Sequence, residues 1–424
     1  MKFIVKGKQS FGGEVVVSGA KNSATRLLCG ALLTDQDIRL DSFPTQLYDA
    51  VKKVQYLQEM GAKITVDDAK NVLKINAKEM TLANVARYEL TVRTTYLLAA
   101  ATLVREAKAK VPYPGGCKIG NRGYDLHMMV WRDLGCEVIE KEDYISVKGK
   151  LKGGTIRFPI TTVGGTENAL LCGSVAEGTT IIENAYITPE VLDLIGFLRK
   201  MGAHITVQGT SHIVVEGANG LLGGTTYSVM PDRIEALTWM VLAAVTNSTL
   251  TIKNVNFEDL EIPLIHLRDA GVNVFSDGVS TALVTPDSIG EYGIQPFEVA
   301  CGTHPGVISD MQSFYVFLAL FASGRSTVFD YRYPERIAYA HELEKFAPGH
   351  IKATEGKIVV DGPAKLQAIE TDSTDLRGSM ALAMAAICAE GTSQVNDIEM
   401  ALRGYNDLPG RLADLGIICE WVNE

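Results

Sequence analysis

The strongest constraint on this chain is a short phrase that recurs six times, each time around a glycine. The copies read EMGAKI from position 59, DLGCEV from 133, KMGAHI from 200, DAGVNV from 269, APGHI from 347 and DLGIIC from 414. Their glycines are Gly61, Gly135, Gly202, Gly271, Gly349 and Gly416, at separations of 74, 67, 69, 78 and 67 residues. An amphipathic pattern precedes each copy and a β-rich run follows it, so each glycine is predicted to end a helix before a strand.

A second element recurs upstream in every repeat and is rich in Ala, Leu and Met. The six copies are SATRLLCGALL, TTYLLAAATLV, ENALLCGSVA, EALTWMVLAAV, QSFYVFLALFA and SMALAMAAICA. Several are apolar on all sides, which predicts helices buried on every face. The repeat therefore reads strand, buried helix, strand, amphipathic helix, strand, strand. Six copies predict an α/β (α+β) protein of two domains with three repeats each, an inside-out barrel with apolar helices inside and sheets outside.

The length of 424 residues also favours two domains over one core. We place one domain at residues 1–20 and 231–424, and the other at residues 21–230, which includes a loop around Cys117.

The starts of the six buried helices carry an unusual set of side chains. Equivalent positions hold Lys21, Arg93, Thr166, Arg233, Asp310 and Arg377, with separations of 72, 73, 67, 77 and 67 residues. Four of the six are cations, which oppose the helix dipole where Asp, Ser or Thr would be the usual choice. If the two domains face each other, these helix starts line a cleft that suits an anionic ligand. The alternatives are that the cations are solvated surface residues and that Asp310 is a plain N-cap rather than a base.

One cysteine lies in a loop that no helix or strand pattern explains. The segment PYPGGCKIGNRG covers residues 112–123 and places Cys117 among glycines, close to Lys118 and Arg122. Neighbouring cations lower the pKa of a thiol, and glycines allow a loop to close over a ligand. Cys117 is therefore a candidate acid or nucleophile. The alternative is an incidental exposed cysteine.

Composition excludes several classes of function. The formal charge is −10 with no basic tract, which argues against nucleic-acid binding. No apolar run reaches the roughly 20 residues of a membrane span, and the start lacks a signal-peptide core. Seven cysteines without CxxC pairs indicate a reducing, cytoplasmic setting. Metal-ligand, phosphate-loop and dinucleotide spacings are absent as well, so no metal and no cofactor are expected.

Together the motifs identify a known family. SGAKN, PGGCKIGNR, PDRIE, SDMQ, TDLR and RGY resemble, in order and spacing, the enolpyruvyl transferases, and among them the UDP-N-acetylglucosamine 1-carboxyvinyltransferases (MurA type). EPSP synthases share the six-repeat fold but lack the cysteine loop. The resemblance implies transfer of the enolpyruvyl group of phosphoenolpyruvate to the 3′-hydroxyl of UDP-N-acetylglucosamine, with release of phosphate by addition and elimination. This reaction is the first committed step of peptidoglycan synthesis and the target of fosfomycin.

The resemblance also implies roles for individual residues. The expected catalytic residues are Cys117, Asp310, Lys21 and Arg403. Those expected to bind phosphoenolpyruvate are Lys21, Arg93, Arg122, Arg336, Arg377 and Arg403, with Arg332 competing for the position given to Arg336. Those expected to bind the UDP-sugar are Asn22, Arg122, Gly123, Tyr124, Asp125, Leu126, Thr162, Val163, Gly164 and Asp310. The expected partners are thus two small molecules, with no nucleic acid and no membrane span.

Departures from the family pattern cluster on the acceptor side. Gly123 and Tyr124 stand where relatives often have Pro-Val, and Ile187 and Thr188 replace a charged pair. The phosphoenolpyruvate side is nearly intact. One alternative is therefore a paralogous transferase with a different nucleotide or sugar-nucleotide acceptor. Another is a non-catalytic UDP-sugar-binding relative, which would be expected to lose Cys117, Asp310 or Arg403, although all three are present.

If Cys117 serves in proton delivery or product release, Cys117→Ala will slow turnover and leave the fold intact. Full progress curves of phosphate release measure the first effect, and circular dichroism measures the second. Progress curves that superimpose on those of the wild type would show that the thiol has no part in the reaction.

Overall fold

The computed structural model describes residues 1–80, 93–113 and 123–423. Within them the chain forms two compact units. Unit 1 contains residues 1–18 and 231–423, and unit 2 contains residues 19–80, 93–113 and 123–230. Each unit has its own hydrophobic core.

Strands and helices alternate along both units. The strands are β1 Lys2–Lys6, β2 Gly13–Val16, β3 Ile38–Asp41, β4 Lys63–Asp67, β5 Val72–Asn76, β6 Lys108–Pro112, β7 Glu137–Glu140, β8 Tyr144–Lys148, β9 Thr155–Arg157, β10 Glu177–Glu183, β11 His204–Gln208, β12 His212–Ala218, β13 Thr225–Ser228, β14 Leu250–Lys253, β15 Phe275–Ser276, β16 Ala282–Val284, β17 Glu298–Cys301, β18 Arg325–Asp330, β19 Ile351–Thr354, β20 Lys357–Asp361, β21 Glu370–Asp372, β22 Thr392–Asn396 and β23 Cys419–Val422.

The α-helices are α1 Lys21–Gly30, α2 Tyr48–Glu59, α3 Ala99–Glu106, α4 Asp125–Asp133, α5 Val163–Val175, α6 Pro189–Lys200, α7 Arg233–Thr246, α8 Glu261–Asp269, α9 Gln312–Ala319, α10 Ala338–Phe346, α11 Leu376–Cys388, α12 Glu399–Leu402 and α13 Leu408–Asp414. Short 3-10 helices span Ala31–Leu33, Asp68–Lys70, Arg93–Leu98, Glu258–Leu260, Pro286–Ser288 and Ser309–Met311.

The described strands form six small sheets, which confirms the predicted mixed α/β class. Five sheets have four strands, in the orders β21-β22-β1-β23, β11-β12-β10-β9, β13-β3-β5-β4, β15-β16-β14-β2 and β17-β18-β20-β19, and the described part of the sixth is β6-β8-β7. In the second sheet, β9 and β10 are parallel on either side of α5, and β12 pairs antiparallel with both β10 and β11. This sheet therefore has the predicted order of strand, buried helix, strand, amphipathic helix, strand, strand.

Three sheets take a strand from a distant part of the chain. β13 runs parallel to β3 in unit 2, β2 runs parallel to β14 in unit 1, and β1 pairs with both β22 and β23 in unit 1. Chain order alone does not show these pairings, because the paired residues are at least 187 positions apart in the sequence.

The apolar helices lie in the cores, as their composition predicts. All residues of α9 and α11 are buried, and α5 and α7 are buried over nearly their whole length. In β8 and β18, buried residues alternate with partly or fully exposed ones, so these strands face the core on one side and solvent on the other. The helices α7, α9 and α11 thus form the centre of unit 1, while α1, α3 and α5 contribute to the core of unit 2.

The recurring glycines end the amphipathic helices, as predicted. The helices α2, α4, α6, α8, α10 and α13 end two or three residues before them. All six glycines have positive φ, between 82° and 100°, a left-handed conformation that other residues rarely adopt. The described cysteines are all free thiols. No helix within the described residues combines the length and hydrophobicity needed to cross a bilayer.

Candidate functional site

Each position that the repeat aligned lies either in the first turn of a buried helix or in the 3-10 helix that leads into one. Lys21 and Arg233 are the first residues of α1 and α7, and Arg377 is the second residue of α11. Asp310 lies within the 3-10 helix that leads into α9, and Thr166 is the fourth residue of α5. The 3-10 helix that leads into α3 begins at Arg93.

The interpretation that cations replace the usual capping residues is wrong for α7 and α11. Asp232 caps α7 and accepts hydrogen bonds from the backbone N–H of Ile234 and Glu235, at 2.9 and 3.1 Å. Asp375 caps α11 in the same way. The cations therefore follow an aspartate N-cap rather than substitute for it. Asp310 is not a plain N-cap either, because the capping position before its 3-10 helix is Ile308.

Arg336 links two helix starts in unit 1. Its Nη1 donates to the backbone oxygen of Ser309 at 2.8 Å and to Oδ1 of Asp310 at 2.9 Å, and its Nη2 donates to Oδ1 of Asp375 at 2.6 Å. Asp375 accepts two further bonds from the backbone of α11, from Arg377 and Gly378. Burial alone lowers the pKa of Arg336, but the carboxylates of Asp375 and Asp310 outweigh it and hold that pKa well above its usual value.

Arg377 is buried at the start of α11 and faces a second carboxylate. Its Nη1 donates to the carbonyl of Gly404 at 3.2 Å, its guanidinium lies 5.1 Å from the ring centre of Tyr405, and its Nη2 is 3.7 Å from Oδ2 of Asp232. Burial lowers its pKa, but Tyr405, Asp232 and Asp310 raise it further, so the net shift is upward. Gly404 directly follows Arg403, another expected site residue, which is itself mostly buried.

Unit 1 thus brings together the expected residues Asp310, Arg336 and Arg377, and Arg403 adjoins them through the backbone of Gly404. Of the two arginines that competed for one role, Arg336 makes the ion pair with Asp310, at 2.9 Å. The described contacts of Arg332 include its backbone N–H, which donates to Asp330.

The two buried guanidinium groups keep hydrogen-bonding capacity. Nε of Arg336, together with Nε and Nη2 of Arg377, is buried with no hydrogen-bond partner among the described residues. Buried polar atoms are normally satisfied, and planar guanidinium donors match the oxygens of a carboxylate or phosphate. This part of unit 1 can therefore bind a compact anion.

In unit 2, the start of α1 is held by ionic contacts to neighbouring helices. Nζ of Lys21 lies 3.1 Å from Oδ2 of the buried Asp49 on α2. Arg26 pairs with Glu167 on α5 at 3.0 Å, and its Nη1 is 3.5 Å from Oδ1 of Asn22, at the limit of a hydrogen bond. Burial raises the pKa of Glu167, and Arg26 opposes that shift.

Lys53 is a buried amine beneath the same helix start. Its Nζ donates to Oγ1 of Thr94 at 2.8 Å, to the backbone oxygen of Thr25, and lies 2.8 Å from Sγ of Cys29. Burial lowers the pKa of Lys53 and raises that of Cys29, although each group partly offsets the shift of the other. Lys53 therefore connects α1 to Thr94, the residue after Arg93.

Seven of the ten expected acceptor-binding residues lie at the starts of α4 and α5 in unit 2, namely Gly123, Tyr124, Asp125, Leu126, Thr162, Val163 and Gly164. Thr162 caps α5 through the backbone N–H of Gly165, at 3.2 Å. Tyr124 immediately precedes α4, and its hydroxyl donates to Oε2 of Glu140 at 3.0 Å. Its ring centre lies 5.3 Å from that of Tyr113 and 6.4 Å from that of Tyr96. These aromatic rings offer flat surfaces on which a nucleobase could stack.

Glycine at position 123 suits this turn. A Cβ atom built there would lie 2.3 Å from Oδ1 of Asp125, so a larger residue requires that carboxylate to move. The neighbouring segment from Asp125 forms the first turn of α4 and includes Leu126.

Two expected site residues, Cys117 and Arg122, lie outside the described residues, and only the backbone of Arg93 is described. Sequence reasoning missed five buried residues that hold the site, namely Asp49, Lys53, Glu167, Asp232 and Asp375. A signal existed for two of them. Asp49 and Lys53 are four residues apart on α2 and therefore share one face of an amphipathic helix.

Known proteins resemble this chain over nearly its whole length. The profile of one family, described as EPSP synthase (3-phosphoshikimate 1-carboxyvinyltransferase), matches residues 5–412. The UDP-N-acetylglucosamine 1-carboxyvinyltransferase 1 of Legionella pneumophila (strain Lens) is 34% identical over 416 residues, covering 97% of this chain and 81% of the relative. The UDP-N-acetylglucosamine 1-carboxyvinyltransferase of Coxiella burnetii (strain Dugway 5J108-111) is 35% identical over 419 residues, covering 98% and 94%.

Solved structures share the fold at lower identity. The enolpyruvyl transferase NikO from Streptomyces tendae superposes with a TM-score of 0.87 at 23% identity, covering 99% of this chain and 98% of that one. EPSP synthase from Acinetobacter baumannii superposes with a TM-score of 0.75 at 17% identity, covering 99% of both chains. At these identities, the likeness supports the fold alone.

The buried amine of Lys53 predicts a pH-dependent stability. A lysine whose pKa is lowered by folding binds fewer protons when folded, so its contribution to the unfolding free energy rises as the pH increases toward the unfolded value of 10.5. In a Cys29→Ala background, which removes the neighbouring thiol, we expect the unfolding free energy of the protein with Lys53 to rise relative to that of Lys53→Met as the pH increases toward this value. Urea unfolding at a series of pH values measures the difference, and a difference independent of pH would contradict the prediction.

Proposed function

The chain belongs to the EPSP synthase family of enolpyruvyl transferases, and we propose that it transfers the enolpyruvyl group of phosphoenolpyruvate to the 3′-hydroxyl of UDP-N-acetylglucosamine, a step of peptidoglycan synthesis. Two curated relatives that carry this activity in their names are 34% and 35% identical to it over almost its full length. They favour this acceptor over the shikimate phosphate of EPSP synthases.

One structural observation carries the proposal. Arg336 and Arg377 are buried beside Asp310, and both guanidinium groups retain N–H donors without partners among the described residues. Phosphoenolpyruvate has a planar carboxylate and a phosphate on a small frame, which suits such donors. The carboxylate of Asp310 lies next to them and can accept a proton from an attacking hydroxyl.

The proposed reaction proceeds by addition and elimination. A proton is added to the CH₂ carbon of phosphoenolpyruvate, and the 3′-oxygen of the acceptor forms a bond to the adjacent carbon while losing its own proton. The tetrahedral intermediate then releases inorganic phosphate as its C–O bond breaks. Loss of a proton from the new methyl group restores the double bond. The products are the enolpyruvyl ether and phosphate.

In unit 1, we assign Arg336 and Arg377 to the carboxylate of phosphoenolpyruvate and Arg403 to its phosphate. Asp310 is assigned as the base at the acceptor hydroxyl. Arg336 donates to Asp310 and, through Asp375, is tied to the start of α11, so the base and the guanidinium groups are held by one set of hydrogen bonds. Orientation of this kind reduces the entropy cost of reaching the transition state.

In unit 2, we assign Lys21, Arg93 and Arg122 to the phosphate of phosphoenolpyruvate, and Cys117 to proton delivery and product release. The acceptor is assigned to Asn22, to the start of α5 at Thr162, Val163 and Gly164, and to the segment Arg122, Gly123, Tyr124, Asp125 and Leu126. The buried partner Asp49 fixes the amine of Lys21 at the start of α1.

A second candidate is a transferase of the same kind with another nucleotide or sugar-nucleotide acceptor. The favouring observation is Tyr124, whose ring adjoins Tyr113 and whose hydroxyl is engaged by Glu140. Gly123 and Tyr124 stand where relatives often have Pro-Val, and the tyrosine changes the surface offered to a nucleobase.

A phosphate-release assay with phosphoenolpyruvate and a panel of nucleotide sugars tests the proposal. We expect release with UDP-N-acetylglucosamine and none without an acceptor. Release only with another nucleotide would support the second candidate. No release with any acceptor would refute enolpyruvyl transfer and favour a non-catalytic binding protein.

The role of Asp310 as a base predicts a selective loss in Asp310→Asn. Asparagine keeps the size of the side chain but cannot take up the proton of the hydroxyl. We expect kcat to fall by roughly 10²–10⁴-fold, the usual contribution of general acid–base catalysis, while the Kd for the sugar nucleotide changes much less. Steady-state kinetics and calorimetry measure the two quantities, and equal losses in both would make Asp310 a binding residue.

A further inference from the structure

Asp330 is a buried carboxylate in unit 1 that the proposed reaction does not use. It is the last residue of β18 and is only 1% exposed. A carboxylate removed from water is costly unless hydrogen bonds and positive charge compensate it. The hydrogen-bond donors around Asp330 therefore show which segments of the chain its carboxylate connects.

Four groups donate hydrogen bonds to this carboxylate. Oδ1 accepts from Oγ of Ser309 at 2.9 Å and from the backbone N–H of Arg332 and Tyr333, at 2.9 and 2.8 Å. Oδ2 accepts from Nε2 of Gln312 at 3.0 Å. Two donors belong to the chain at the start of α9, and two belong to the turn after β18. The carboxylate thus joins these two segments.

The two segments carry the ion pair of the candidate site. Ser309 directly precedes Asp310, and the turn held by Asp330 leads to Arg336, whose backbone N–H donates to the carbonyl of Tyr333 at 3.0 Å. Nη1 of Arg336 donates to the backbone oxygen of Ser309 as well as to Asp310. Ser309 is therefore bound by Asp330 through its side chain and by Arg336 through its backbone.

We propose that Asp330 is a positioning residue that sets the geometry of the Asp310–Arg336 pair. Its carboxylate fixes the 3-10 helix Ser309–Met311 against the turn at 331–336, so the carboxylate of Asp310 and the guanidinium of Arg336 meet in one arrangement. Asp330 acts through Ser309 and the turn and does not contact the reacting atoms. The loss of turnover expected when Asp330 is substituted rests on the proposed function. The expected change in the geometry of the Asp310–Arg336 pair does not.

The competing explanation is that Asp330 only caps a turn. The same unit offers a matched control for this role in Asp277, an exposed aspartate. Its Oδ1 accepts from the backbone N–H of Val279, Ser280 and Thr281, at 2.8, 2.9 and 2.9 Å. Asp277→Asn therefore weakens a carboxylate-capped turn of similar design.

Crystal structures of Asp330→Asn and Asp277→Asn test the geometric part directly. Asparagine keeps the shape of the side chain but replaces one acceptor oxygen with a donor, so the bonds from Ser309 and Gln312 cannot both persist unchanged. We expect the hydrogen bond between Arg336 and Asp310 to be lost or lengthened in Asp330→Asn and unchanged in Asp277→Asn. An unchanged Arg336–Asp310 hydrogen bond in Asp330→Asn would overturn the proposal, whatever the kcat of that variant.

Kinetics test the functional part. A displacement of about 1 Å can cost on the order of 10²-fold in rate, so we expect kcat of Asp330→Asn to fall by roughly 10–100-fold, with Asp277→Asn matching the wild type. In an Asp310→Asn background the further loss should be small, because the pair it positions is already impaired. If Asp330→Asn lowers kcat by the same factor in the Asp310→Asn background as in the wild type, Asp330 has a purely structural role.

Two further outcomes keep the test decisive. If Asp330→Asn does not fold, Ser309→Ala removes only one of the four hydrogen bonds, and the same displacement of the pair is expected in smaller degree. An unchanged pair in folded Ser309→Ala, with wild-type kcat, would overturn the proposal. If the wild type itself releases no phosphate with any acceptor, the proposed function fails, while the crystal structures still decide whether Asp330 positions the pair.

Discussion

The burial of helices on every side is the constraint on which the rest of the structure depends. A helix surrounded by protein cannot leave its first N–H groups, or charged side chains in its first turn, to be solvated by water. Neighbouring groups must satisfy them. Asp375 shows the consequence, because one of its oxygens accepts two backbone N–H groups of α11 and a guanidinium N–H of Arg336. The interactions that allow α11 to be buried therefore also arrange the candidate site.

The two units meet this requirement differently. In unit 1, buried aspartates compensate guanidinium groups that still have donors without partners among the described residues, so an incoming anion would gain hydrogen bonds without displacing the existing pairs. In unit 2, Lys21 and Arg26 are each matched to a buried carboxylate, and Lys53 donates to neutral oxygens and lies beside a thiol. The ion pairs of unit 2 therefore serve mainly to hold the start of α1 in place, whereas those of unit 1 leave N–H donors for a ligand.

The sequence predicted what repeats locally and missed what joins different repeats. The helix-ending glycines, the all-apolar helices and the first-turn positions follow from spacing along one segment, and the structure has them where spacing puts them. The ionic partners come from other segments of the chain: Asp375 for Arg336 and Glu167 for Arg26 lie in other repeats, and Asp49 for Lys21 lies on another helix of the same repeat. No periodicity within a segment specifies such pairs. The N-caps of α7 and α11 were misjudged for a related reason, since the repeat drew attention to the cation and not to the aspartate just before it.

Burial also distinguishes the residues proposed to bind phosphoenolpyruvate in unit 1 from Tyr124, which is proposed to contact the acceptor. Arg336, Arg377 and Asp375 are buried in a shared hydrogen-bond network, and removing one member of such a network leaves an uncompensated charge that costs several kcal/mol. Tyr124 lies at the partly exposed start of α4, and its partner Glu140 is exposed, where substitutions usually change stability by about 0.5 kcal/mol or less. Stability therefore restrains Arg336, Arg377 and Asp375, which lie where the anion is proposed to bind, far more than it restrains Tyr124. Departures from the family pattern are expected where they occur in this chain, around Gly123 and Tyr124.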